Sequence, residues 1–285
     1  MISGVDHVAV IVRDLDRSLA DFELLLGRSP NWRGTLEGAR HAWFQLPNVA
    51  FDVISPSGEG RFGKLAKERL AANGEGIWSI GLGVADLDSA RRTVERRGLD
   101  ISEITELRSH SDEDRTRCWR YANLSRSSTS DIPLFLVQLE QEPWPLSPPR
   151  GGEADAVTGL DHIVVRTRNA DRAAALYGAR LGLDLRLDRS NENWGARLLF
   201  FRCGDLILEV AVSLREEASS HQDSLGGLAL RVPDLSKAHV RLGTADFDIS
   251  EPRKGRKPGT QVFTVRNRTA NIPILMLESD AKAEA

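Results

Sequence analysis

Gly4-Val5-Asp6-His7-Val8-Ala9-Val10 opens the chain, and Gly159-Leu160-Asp161-His162-Ile163-Val164-Val165 opens its second half. Each phrase carries one histidine at the same place. Each runs on into a helical stretch that stops at a glycine, Leu15 to Gly27 and Ala170 to Gly182. Self-similarity at a long period marks a duplicated architecture. The halves subdivide again. Asp86-Leu87-Asp88 stands between a strand-like run and a helical run, as Asp14-Leu15-Asp16 does, and Pro233-Asp234-Leu235 repeats the arrangement. Asp100-Ile101-Ser102-Glu103 recurs as Asp248-Ile249-Ser250-Glu251, and Ile132-Pro133-Leu134 as Ile272-Pro273-Ile274. Four modules result, at about 3–72, 76–140, 158–215 and 224–279.

Within a module the pattern is strand, helix, three strands. Leu15, Leu19, Phe22 and Leu26 form an apolar stripe at helical spacing. Asp16, Ser89 and Ser236 suit helix starts. Short β-rich runs follow, such as Val49 to Ile54 and Leu206 to Ala211. Phe62, Leu65 and Leu70 predict one further helix joining the first two modules. Proline and glycine in Glu142 to Gly152 can continue neither a helix nor a central strand. A linker is therefore expected at 142–157, between domains at 1–141 and 158–280.

The 285 residues leave room for two cores, and 41% apolar with 28% charged residues is a globular balance. A net charge of −3 lacks the basic excess that nucleic acid or a membrane surface favours. No apolar run approaches the ~20 residues of a membrane span. The first residues show no signal-peptide pattern, and the two cysteines, Cys118 and Cys203, form no CxxC pair. A cytoplasmic protein is the expectation.

Four βαβββ modules, with Asp-His at a strand start and Asp-Leu before the helix, resemble the vicinal oxygen chelate superfamily. It includes glyoxalase I, methylmalonyl-CoA epimerase, the fosfomycin and bleomycin resistance proteins and the extradiol dioxygenases. The run Leu70 to Ile77, Leu-Ala-Ala-Asn-Gly-Glu-Gly-Ile, is similar to the one preceding the second module in epimerase-like members. The resemblance implies an α+β fold in which modules pair into two curled mixed-sheet half-barrels with outer helices. It also implies a divalent metal (Zn, Mn, Ni or Fe) held by a histidine and a carboxylate from first and last strands. No organic cofactor is expected. A small-molecule substrate or ligand is, and a homodimer is compatible with the pattern.

Placed by register, the ligand positions are His7, Ser79, His162 and Gly227 on first strands and Asp52, Phe135, Glu209 and Leu275 on last strands. Both odd modules keep a histidine and a carboxylate, whereas both even modules have neither. Any odd–even pairing then offers two ligands per barrel. His162 with Glu209 is the first candidate, for metal ligation or as a general base with its partner. His221 or the substrate is a candidate third ligand. His7 with Asp52 is the second, read first as a hydrogen-bonded pair. Ser79, Phe135, Trp194, Gly227 and Leu275 are candidate pocket residues. Arg120, Arg197, Arg231 and Lys257 are candidates to carry an enediolate charge, with a solvated strand face as the simpler role. The basic stretch Glu251 to Thr260 reads as a turn-rich loop or a lid. His41, His110 and His239 have no partner in the sequence, and no nucleophile–histidine–acid set is visible. The expected function is a glyoxalase-like lyase or isomerase acting on a small carbonyl or carboxylate compound. The alternatives are a non-catalytic resistance-type binding protein and an extradiol dioxygenase. The last is disfavoured by Gly227 and Leu275 standing where fourth-module ligands would be.

Overall fold

The computed structural model describes residues 1–111, 113–139, 144–214 and 222–279. The first half runs β1 (Ile2–Ile11), α1 (Leu15–Leu26), β2 (Trp32–Leu36), β3 (Ala39–Gln45), β4 (Ala50–Pro56), α2 (Arg61–Asn73), β5 (Gly76–Val84), α3 (Leu87–Arg96), β6 (Thr105–Ser111), β7 (Thr116–Asn123) and β8 (Leu134–Leu139). The second half runs β9 (Gly159–Thr167), α4 (Ala170–Ala173) continuing as a π-helical stretch Ala174–Arg180, β10 (Asp184–Asn191), a 3-10 turn Glu192–Trp194, β11 (Ala196–Cys203), β12 (Leu206–Ser213), β13 (Ser224–Arg231), α5 (Leu235–Thr244), β14 (Arg253–Lys254), β15 (Thr260–Val265) and β16 (Ile274–Ser279).

The helix starts fall slightly earlier than the sequence reading placed them. Asp14, Asp86, Asn169 and Asp234 are the caps, each side chain accepting from the backbone N–H three residues on. A carboxylate or amide oxygen there satisfies a donor that the helix leaves unpaired. The anticipated joining helix is α2.

Modules pair in chain order, one with two and three with four. The first pair closes completely, in the order β1-β4-β3-β2-β6-β7-β8-β5. β1 is parallel to β4 and antiparallel to β5, and closure comes where β2 meets β6, Gly34 opposite Ser111. A Cβ on Gly34 would stand 2.6 Å from the His110 carbonyl oxygen and 2.7 Å from Ser109 Oγ, so a residue without Cβ is needed at this seam. The second pair stays open, in the order β10-β11-β12-β9-β13-β16-β15-β14. Its last edge, β14, is only two residues of the basic stretch and does not pair with β10. The sheet order brings one histidine and one carboxylate position to each sheet, as the module pattern requires. The four do not meet.

Helices of both halves, α2 apart, share one core, in which Leu19, Phe22 and Leu26 of α1 join Leu176, Tyr177 and Leu242 of the second half. The segment after residue 143 is sewn to the first half. Buried Arg28 donates to the Val157 carbonyl at 2.6 Å and the Ser147 carbonyl at 2.7 Å. Across the seam, Asn48 accepts from Leu160 N at 3.0 Å and donates to its carbonyl at 2.8 Å. None of the described helices is long and apolar enough to cross a membrane.

Candidate functional site

Strand alternation decides what the closed barrel encloses. On β4, Phe51 and Val53 face the helices, so Asp52 and Ile54 face inward. His7 and Ala9 on β1, and Trp43 on β3, point the same way. Together with α2, these walls enclose a cavity of about 440 Å³. α2 lies over its mouth, presenting Arg61, Phe62, Leu65, Glu68 and Arg69 from one helical face. Its start is seated on the β2–β3 turn by glycines. A Cβ on Gly60 would stand 2.1 Å from the Glu37 oxygen, and one on Gly63 2.1 Å from the Gly38 oxygen. Walls from Trp78, Trp119, Phe135 and Val137 are apolar, and Ser79, Tyr121 and Asn123 add polar groups. Burial raises the Tyr121 phenol above its usual range, with Arg61 opposing that shift.

His7 is 7% exposed and sits between Trp43 and Phe135, with ring centroids 4.8 and 5.3 Å away. Its Nδ1 is 2.6 Å from the Asp6 carboxylate. That bond fixes the ring and leaves Nε2 for the cavity. Gly81, opposite His7 on β5, makes room for the ring, since a Cβ there would be 3.1 Å from two of its atoms.

Asp52 does not turn to His7. Its Oδ1 lies 2.6 Å from His41 Nδ1, and His41 Nε2 lies 2.6 Å from Ser109 Oγ, which also accepts from Trp32 Nε1 at 2.8 Å. A serine–histidine–aspartate chain is therefore present, which the sequence did not reveal. Ser109 and His41 are both fully buried, and neither faces the cavity. The chain holds Asp52 from behind; it does not present a nucleophile. Arg117 lies nearby, 3% exposed, its guanidinium 3.8 Å from the Trp144 ring centroid and 5.3–5.4 Å from those of Trp119 and Trp43. Burial pulls its pKa down to about 9 against the upward pull of Asp6 and Asp52, so it is cationic at neutral pH. Aromatic faces and two carboxylates offset the desolvation of this charge.

In the second half, His162 Nδ1 is 2.8 Å from Asp161, and Nε2 is 3.7 Å from Glu209. His162, Ala229 and Leu275 lie opposite one another across β9, β13 and β16, so they share one face of the open sheet. Exposed Leu185 and Leu187 stand on the edge strand β10. Gly227, at a positive φ, lines a groove between the halves, where a Cβ would meet the Pro273 oxygen at 2.6 Å. The Trp194 side chain and His221 lie outside the described residues. Ser79 and Phe135 line the first cavity. Arg120, Arg197 and Arg231 are each committed to a carboxylate, Asp88, Asp188 and Asp161 respectively. The basic stretch forms an exposed edge of the second sheet, and none of its residues lines the first cavity. His110 bonds Thr116 and His239 the Ser250 carbonyl.

A metal of the kind the fold family uses needs three or four donors from the protein. The first barrel supplies His7 Nε2 and the second oxygen of Asp52 from its strands and Glu68 from α2, with Phe135 at a ligand position and cationic Arg117 close by. Among the described residues no group of three histidine, cysteine, aspartate or glutamate side chains converges. The donor set of the first barrel therefore does not fit such a centre. The second sheet offers His162 and Glu209 alone among the described residues.

Two closely interlocked pairs of βαβββ modules define the class to which this chain belongs. The sequence matches the Glyoxalase-like domain family over residues 5–182, and the Glyoxalase/Bleomycin resistance protein/Dioxygenase superfamily over residues 161–264. The chain belongs to the glyoxalase-like family, within the vicinal oxygen chelate superfamily. Among solved structures it is similar to a mutant 4-hydroxymandelate synthase from Streptomyces coelicolor, with a TM-score of 0.69 and 14% identity over 98% of this chain and 93% of that one. It is also similar to the Mn(II)-bound glyoxalase from Novosphingobium aromaticivorans, with a TM-score of 0.66 and 15% identity over 97% and 82%. At such identity the likeness is one of fold. Comparison with curated proteins gives no match.

Proposed function

We propose that the first barrel is the working half, and that it carries out a glyoxalase-like lyase or isomerase reaction on a small carbonyl compound with an aromatic or similarly flat apolar body. One observation carries this reading: His7, oriented by Asp6, leaves Nε2 for a largely apolar chamber with several aromatic walls. An imidazole held by a carboxylate is a general base near neutral pH. Nε2 takes the proton from the carbon next to the carbonyl and returns it to the substrate. Ser79 and Tyr121 are the hydroxyl donors on the wall available to the enolate oxygen. Asp52, held by His41, lines the same chamber. The His162–Glu209 pair lies on an open sheet and is read here as structural.

The second reading is a binding protein that sequesters the same class of ligand without turnover. It is favoured by the two-donor set of the strands, which leaves enolate stabilisation to hydroxyls. The test is solvent exchange in D2O, followed by proton NMR on a panel of aryl-substituted α-hydroxy and α-keto compounds. Loss of an α-proton signal with wild type, abolished in His7→Gln, supports proton transfer. Binding by wild type without exchange on any member of the panel favours sequestration.

A further inference from the structure

The rim of the first chamber carries three arginines. α2 brings Arg61 and Arg69, and the turn after β7 brings Arg126. Many of the described arginines are tied to acids, as in Arg40–Asp16, Arg91–Glu103, Arg197–Asp188 and Arg268–Asp21. The rim arginines differ. Among the described residues the hydrogen bonds of Arg69 and Arg126 go to backbone only. Arg69 donates to the Ile77 carbonyl at 3.1 Å and the Gly74 carbonyl at 3.5 Å, and Arg126 to the Asp131 carbonyl. Burial, and then the positive charge of Arg126, lower the Arg69 pKa. Two guanidiniums that feel each other, with no carboxylate bonded to either among the described residues, keep their donors open to an anion. Glu68 lines the chamber beside them, and Glu75, Asp131 and Asp223 line the adjoining groove, but none of these carboxylates is hydrogen-bonded to Arg69 or Arg126 among the described residues.

Two further features point to an occupant. Leu65 faces the cavity yet is 45% exposed, so apolar surface stands uncovered directly beside the charge. Arg69, Arg126 and Pro133 also line the polar groove between the halves, so the rim is where chamber and groove join. The same side chains thus meet a ligand body inside the barrel and a polar group leaving it.

We propose that Arg61, Arg69 and Arg126 bind an oxyanion, carboxylate or phosphate, carried by a ligand whose apolar body fills the first chamber. This rests on the chamber being the ligand site, as proposed above, and adds the charge of the ligand. Guanidiniums suit both anions because their planar donors match paired oxygens.

The test is isothermal titration of the full chain at low salt with 2-naphthoate, 2-naphthyl phosphate and neutral 2-naphthalenemethanol. At least one anion is expected to bind about tenfold or more tightly than the alcohol, since a charge-assisted bond contributes about 1.5–3 kcal/mol. The anion with the larger gain identifies the source as carboxylate or phosphate. Arg126→Gln, at an exposed position, is expected to erase most of that preference and leave the alcohol unchanged; Arg69→Gln is expected to do the same if it folds. Equal binding of all three probes, or a preference that survives Arg126→Gln, overturns the inference and leaves the chamber standing. Failure of all three, the alcohol included, overturns the chamber reading and this inference with it.

Discussion

His41 is the hub of the buried chain behind Asp52, and its removal has a calculable effect. His41→Ala deletes two hydrogen bonds of 2.6 Å, one to the Asp52 carboxylate and one to Ser109 Oγ. The carboxylate bond contributes about 1.5–3 kcal/mol and the hydroxyl bond about 1 kcal/mol. The void left by a fully buried ring adds to that, giving a total of about 3–5 kcal/mol. For a chain of this size each kcal/mol moves the melting point by about 2–4 °C, so a fall of about 6–20 °C is expected. Circular dichroism melts of His41→Ala, Ser109→Ala and the double variant measure it. Because the two side chains touch, the double variant should lose less than the sum of the singles. A His41→Ala protein melting within about 2 °C of wild type would refute the network.

Three further outcomes follow from the packing and the charges. Asp161 is held below its ordinary value: burial alone would raise it, but the bond and charge of His162 and then Arg231 outweigh burial. A carboxylate depressed in the folded state contributes stability above its unfolded pKa of 3.8, lost as pH falls through the folded value. Asp161→Asn should therefore lower the melting point at pH 7, with the gap closing as pH falls below about 4; a gap independent of pH contradicts this. Gly63→Ala places a Cβ 2.1 Å from the Gly38 oxygen, so α2 must shift from its seat. Naphthalenemethanol binding should weaken several-fold by calorimetry, and unchanged affinity would mean that α2 does not shape the chamber. Burial pushes the Cys203 thiol up to about 12, whereas Cys118 is half-buried. A disulfide exchange reagent should titrate one thiol in the native protein and two after denaturation, and rapid native reaction of both would contradict the burial of Cys203.

What the sequence revealed was what repetition and local period encode. The doubled Asp-His phrase placed His7 and His162 on equivalent strands, and the spacing to Asp52 and Glu209 placed the last strands. Phe62, Leu65 and Leu70 revealed α2. What stayed hidden depends on contacts between distant strands. His41 could be read as a strand residue, but its bonds to Asp52 and Ser109 span 11 and 68 residues and exist only once β3, β4 and β6 are in register. Closure of one sheet and not the other rests on a small residue at Gly34 and on the shortness of β14, neither of which has a periodic signature. The preference between the two half-sites was likewise a matter of closure. Glu209 is the better ligand by type, but Asp52 is the one inside a chamber.

The most direct test of the central claim is the position of a bound ligand. A crystal soaked with 6-bromo-2-naphthoate, measured at the bromine edge, gives one anomalous peak per site. The account predicts the peak inside the first barrel, between Trp119, Phe135 and His7. A peak on the open face of the second sheet beside His162 and Glu209, with the first barrel empty, would contradict it.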